Sequence, residues 1–130
     1  MKKKIVIIVS ILVFVVLLVV NFSTVIIIGD KISVRYIYGD KNITTELSAE
    51  DATVVTKILN GKHMSIFDLP SCGFDENVAV ITNGKTFCIA CDECATVYFK
   101  ERNGYISLDN DENEQLRNIL SAYGFEWPCN

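Results

Sequence analysis

Five cysteines hold most of the chemical capacity of this chain. Cys88, Cys91 and Cys94 form a Cys-x-x-Cys-x-x-Cys run, with Cys72 upstream and Cys129 one residue from the end. Three chemistries are open to them. Oxidised in pairs, they staple a small domain and leave one thiol over. As thiolates, Cys88, Cys91 and Cys94, with Cys72 or Cys129 as a fourth ligand, suit zinc or an iron–sulfur cluster. As a redox couple, Cys91-Asp92-Glu93-Cys94 has thioredoxin-type spacing, but its two carboxylates raise thiol pKa and no helix pattern starts there. The run lacks the fourth nearby cysteine and following proline of a ferredoxin, and the one histidine, His63, falls in a loop-like stretch between Gly61 and Pro70.

Compartment decides among these chemistries, and the N-terminal residues speak to compartment. Lys2, Lys3 and Lys4 precede an apolar run from Ile5 to Val20, broken only by Ser10, that restarts at Val25 to Ile28. As a helix the first run spans about 24 Å, and extension through Ile28 about 36 Å, against a ~30 Å hydrocarbon core. Lysines before the run and an acidic chain after it place the N-terminus in the cytoplasm and the remainder outside. Residues 19–29 hold no small-residue pair at the spacing of a cleavage site, and no cysteine before Cys72 offers a lipid attachment point. The expectation is an uncleaved anchor over residues 1–28, contacting the membrane through residues 5–28, and one extracytoplasmic domain over 29–130. Val25 to Ile28 also fit a first strand of that domain. Outside the cytoplasm thiols oxidise, which favours disulfides over thiolate chemistry.

Register points to a pairing. With Asn83-Gly84 as a two-residue hairpin loop, Thr82 faces Lys85 and Cys88 faces Ala79. Continued further, the same register brings Cys72 opposite Ala95, beside Cys94, within reach of a bond. Cys88 is then a buried free thiol, and Cys91 is left for Cys129. Other pairings stay open, because sequence alone does not choose among them.

The elements that position these residues follow from periodicity. Ser33 to Tyr38 and Ile43 to Leu47 read as strands around a Gly39–Asn42 turn. Ser48 caps a helix whose Ala52, Val55, Ile58 and Leu59 share one face, ended by Gly61. Asn77 to Thr82 and Lys85 to Ile89 form the central hairpin. Thr96 to Lys100 and Tyr105 to Leu108 make another around Asn103-Gly104, and Asp109 caps a second helix with Leu116, Ile119, Leu120 and Tyr123 as its stripe. Leu47/Leu108, Ser48/Asp109, Asp51/Glu112, Val55/Leu116, Ile58/Ile119 and Leu59/Leu120 share an offset of 61, the spacing a ββα duplication would leave and one that chance spacing of amphipathic helices could in part produce. The expected fold class is therefore α+β, an antiparallel sheet of about six strands with two helices on one face, after one transmembrane helix.

Without its three N-terminal lysines the chain has nine basic against sixteen acidic residues, a formal charge of −7. Nucleic acid is thus an unsuitable partner. The acidic run Asp109 to Glu114 imitates a calcium loop but puts Glu114 where that loop needs glycine and Leu120 where it needs a carboxylate, so it reads as capping charge. Asp75, Glu76, Asp92 and Glu93 read as a solvated rim, and Tyr36, Tyr38, Tyr98, Phe99 and Tyr105 as core aromatics or a recognition face. No nucleophile–base pair or phosphate loop is evident, and no cofactor is implied. In organisation alone the chain resembles small bacterial single-span envelope proteins with an outward-facing domain, a likeness that carries over no catalytic residue. The functional expectation is a non-catalytic, anchored binding domain with a protein or peptide ligand. The alternative is a thiol-redox or metal-binding protein using Cys88, Cys91 and Cys94.

Overall fold

The computed structural model describes residues 1–25, 27, 31–66 and 70–127, apart from the side chains of Asn21 and Phe22. Helix α1 (Lys2–Ser23) takes in the first apolar run. Its apolar side chains from Ile5 to Val20 are 45–65% exposed, so nothing among the described residues covers them. By length and composition α1 can cross a membrane.

The helix ends at Ser23, short of the expected boundary at 28, because the polar residues there turn the chain into strand-like pairing. The Ser23 and Thr24 hydroxyls donate to the Val20 carbonyl at 3.2 and 2.8 Å. Thr24 is extended and bridges His63 in antiparallel fashion. The Val25 N–H donates to the Lys62 carbonyl (2.9 Å), the Gly61 N–H to the Val25 carbonyl (2.8 Å) and the Ile27 N–H to Asn60 Oδ1 (3.0 Å). Val25 and Ile27 are buried in the domain core. The second apolar run, as far as it is described, thus belongs to the globule, and His63 lies in a paired segment instead of a free loop.

The domain is the expected antiparallel α+β fold, with seven strands in place of six: β1 (Ser33–Tyr38), β2 (Lys41–Glu46), β3 (Met64–Ser65), β4 (Val78–Thr82), β5 (Lys85–Ile89), β6 (Thr96–Phe99) and β7 (Gly104–Ser107). Helix α2 (Ala49–Leu59) follows β2, and α3 (Asn110–Ala122) follows β7. The sheet order is β2-β1-β4-β5-β6-β7-β3. Outward from the β4–β5 hairpin the order reads alike in both directions, β1 then β2 and β6 then β7, and only β3 breaks it. Two residues show no alternation, so β3 leaves no trace in the sequence; it exists because Met64 and Ser65 pair with Ile106 and Tyr105.

The two ββα units match in detail. Leu47 N–H closes the first hairpin on the Ile32 carbonyl, and Leu108 N–H closes the second on the Ala95 carbonyl. Ser48 and Asp109 each accept from the backbone N–H three residues on, and Glu112 completes a capping box. The Tyr123 hydroxyl accepts from Ser48 N–H (2.9 Å) and donates to Asp51 (2.7 Å), tying the end of α3 to the start of α2.

Turn chemistry differs between the hairpins. Asn83 (φ 46°) and Gly84 (φ 71°) both sit in the left-handed region, as a two-residue hairpin loop requires. The expected Asn103-Gly104 turn is instead a 3-10 turn over Lys100–Arg102 closed by left-handed Asn103, while Gly104 pairs with Phe99 inside β7. Gly104 serves packing there: a Cβ would stand 2.2 Å from Met64 Cγ.

Val34, Tyr36, Val80, Phe87, Ile89, Val97, Phe99 and Ile106 form one core cluster with Val55, Leu59, Leu116 and Leu120 of the helices. The other sheet face carries a lateral row in which Arg35 pairs with Ala79, Ala79 with Cys88, Cys88 with Tyr98 and Tyr98 with Tyr105. A strap from the 70–77 segment covers part of this row: Phe74 packs on Tyr98 and Tyr105 (ring centroids 5.9 and 5.7 Å), and Glu76 pairs with Lys100.

Candidate functional site

The cysteines separate into three environments. Cys72 and Cys94 are disulfide-bonded, with Cα atoms 6.2 Å apart. The bond joins the two residues that the register argument brought together, by another route. Strands β4 and β5 end at Val78 and Ile89, and the bond links the loops beyond them, anchoring the strap. Cys91 is also disulfide-bonded; Cys129, its expected partner, lies outside the described residues. Cys88 is a free thiol, 2% exposed, opposite Ala79 as its register requires.

Burial pushes the Cys88 pKa up from its ordinary 9.0 to about 11, and the nearby Glu76 carboxylate adds to the rise. It is therefore a neutral thiol at physiological pH, without the thiolate that reactivity needs. Because the folded-state value lies above the unfolded one, its contribution to stability is intact below pH 9 and lost as pH rises toward 11. The expected result is no reaction with a thiol reagent at pH 8 until denaturant is added, and a Cys88→Ala variant whose stability falls less steeply between pH 9 and 11. Rapid labelling of the native protein at pH 8 would refute this.

Among the described residues, ligand-type atoms gather at Cys72, Asp92 and Cys94. Two of the three are the bonded sulfurs, and Asp92 Oδ1 accepts from the Cys94 N–H (3.1 Å). Cys88 does not join this group. The proposed rim carboxylates likewise go separate ways: Glu76 to Lys100, Asp75 to the Asn77 N–H (2.8 Å), and Asp92 to Cys94.

Beside the strap lies a cleft of about 220 Å³ at the strand ends that carry Tyr38, Val78 and Ile89. Four aromatic residues line it: Tyr36 and Tyr38 from β1, Phe74 from the strap and Trp127 from the C-terminal segment. Asp75, Glu126 and the bonded Cys91 also line it. The volume suits one side chain and not a drug-sized ligand. The Tyr36 hydroxyl donates to the Glu126 carbonyl (3.1 Å), and Lys41 Nζ bonds the Glu126 carboxylate, so the tail is held against β1 and β2. Asp75 stays exposed at the mouth.

Arg117 braces this region from α3. Its guanidinium donates to the Ala90 carbonyl (3.0 Å) and the Asp92 carbonyl, and lies 4.3 Å from the centre of the Trp127 ring. Burial lowers its pKa from the ordinary arginine value, but an arginine in this setting stays charged. Trp127 Nε1 donates to Ser121 Oγ at 2.9 Å, fixing the ring from the other side.

No family model, curated protein or solved structure matches the chain. The cleft's own geometry therefore carries the functional argument.

Sequence reasoning named Tyr36 and Tyr38 but not Phe74, Glu126, Trp127 or Arg117 as site residues. The first three lie in segments without periodicity, and Arg117 sits on the polar side of a helix where a solvated arginine is ordinary. The signal available was the aromatic and acidic content of the two segments that also carry cysteines.

Proposed function

We propose that this chain is a membrane-anchored, extracytoplasmic, non-catalytic domain that binds a cationic group of a peptide, a lysine side chain or terminal ammonium, in the aromatic cleft. The observation that carries this reading is the convergence of Tyr36, Tyr38, Phe74 and Trp127 with exposed Asp75 on a pocket of side-chain size. Aromatic faces attract cations, and a carboxylate at the mouth adds direction. The formal charge of −7 after the N-terminal lysines draws cationic ligands from a distance.

Anchoring is supported by the junction. Thr24 and Val25 are tied by backbone pairing to residues 61–63, so α1 runs straight into the folded domain. The extracytoplasmic location is supported by the Cys72–Cys94 bond, since such bonds persist in oxidising compartments. The thiol-redox or metal alternative has less support: it needs that bond opened and Cys88 drawn out of the core.

Trp127 is the one tryptophan of the chain, so its fluorescence reports on the cleft directly. Titrating the full-length protein in nanodiscs with a tetralysine peptide is expected to shift that emission saturably, and fully acetylated peptide to leave it unchanged. Loss of the aromatic partner in Tyr38→Ala should weaken binding about three- to thirtyfold, the range of a cation–π contact. Equal response to both peptides would overturn the reading.

A further inference from the structure

We infer that the base of the domain around Met64 and Ile66 is itself seated in the outer leaflet, so that lipid fills the groove between α1 and β3. This rests on the reading of α1 as a membrane anchor. The groove, about 680 Å³, has Val19 and Ser23 of the helix on one side and Met64, Ile66 and the charged residues Glu101 and Arg102 on the other. Its apolar walls are open: Val19 is 61% exposed and Ile66 58%.

Two lengths make lipid the occupant. Val19 lies four residues before Ser23, about 6 Å along the axis, so in a membrane-crossing helix the groove's inner wall is inside hydrocarbon. The apolar run Ile5 to Val20 also covers only about 24 Å of a ~30 Å core. The missing ~6 Å, about four residues, carries the lipid boundary to Thr24. Thr24 is bridged to His63, the neighbour of Met64, so lipid that covers the last turn of the span also reaches β3. Exposed Ile66 then removes apolar surface from water instead of presenting it, and Arg102 on the rim sits where lipid phosphates lie.

The test places a tryptophan in the groove. An I66W variant in a W127F background, and an R102W variant in the same background, are reconstituted full-length into liposomes with or without acyl-chain-brominated phosphatidylcholine. Wild type is the control, because Trp127 lines the cleft at the opposite strand ends from Lys100–Arg102. Brominated lipid is expected to quench both groove variants at least twofold and to leave wild type unchanged. Failure of wild type to float with liposomes would remove the anchor and this inference with it. Flotation with both groove variants unquenched would overturn the lipid seat alone, and unquenched variants that cross-link as dimers would assign the groove to a second copy.

Discussion

Cys72→Ser or Cys94→Ser is expected to lower the stability of the domain by about 3 kcal/mol, the loop-closure value for cysteines 22 residues apart. The lost constraint is specific in place. The bond holds the strap whose Phe74 packs on Tyr98 and Tyr105 and whose Glu76 pairs with Lys100 beside Cys88. Release of the strap therefore also opens Cys88 to solvent. Urea unfolding read together with thiol labelling at pH 8 checks both consequences, and the double variant should match the singles, because each removes the same bond. Unchanged unfolding midpoints in both single variants would contradict the argument.

Leu116→Ala is expected to cost about 2–5 kcal/mol, the range for deleting a fully buried leucine side chain. Leu116 has no exposed surface and belongs to the cluster that joins α3 to the sheet. In a domain of about 100 residues such a loss lowers the melting temperature by roughly 10–20 °C or more. Val55 occupies the matching position on α2, also fully buried, and Val55→Ala removes fewer carbon atoms and should cost less. Calorimetry on the three proteins orders them wild type, Val55→Ala, Leu116→Ala. A reversed order would show that the second unit is not the equal of the first in holding the core.

The parts of the fold legible in the sequence are those with a period. The alternation of Val78, Val80 and Thr82 before Asn83-Gly84 sets the central register, and two capped stripes 61 residues apart set the helices. What escaped is what has no period. Met64–Ser65 is too short to alternate, and Gly104 looks like a turn residue until Met64 is placed against it. The split of the apolar run at Ser23 stayed open in the sequence, since Val25 to Ile28 fit either the span or a first strand. Val25 and Ile27 are as apolar as a membrane span needs, and only their hydrogen bonds to Asn60, Gly61 and Lys62 show which solvent they left. The cleft was the least legible part, because its rings come from β1, the strap and the tail, brought together by the sheet and the cysteine bonds.

The direct passage from Ser23 through bridged Thr24 into buried Val25 leaves the globule no slack. A span that ran into a flexible stalk would let its cargo-binding end swing through a hemisphere. Here rotation about the junction would have to peel Val25 from its neighbours, so α1 and the domain turn together. With the anchoring and binding proposed above, partners on the same bilayer would meet the cleft in a restricted range of orientations.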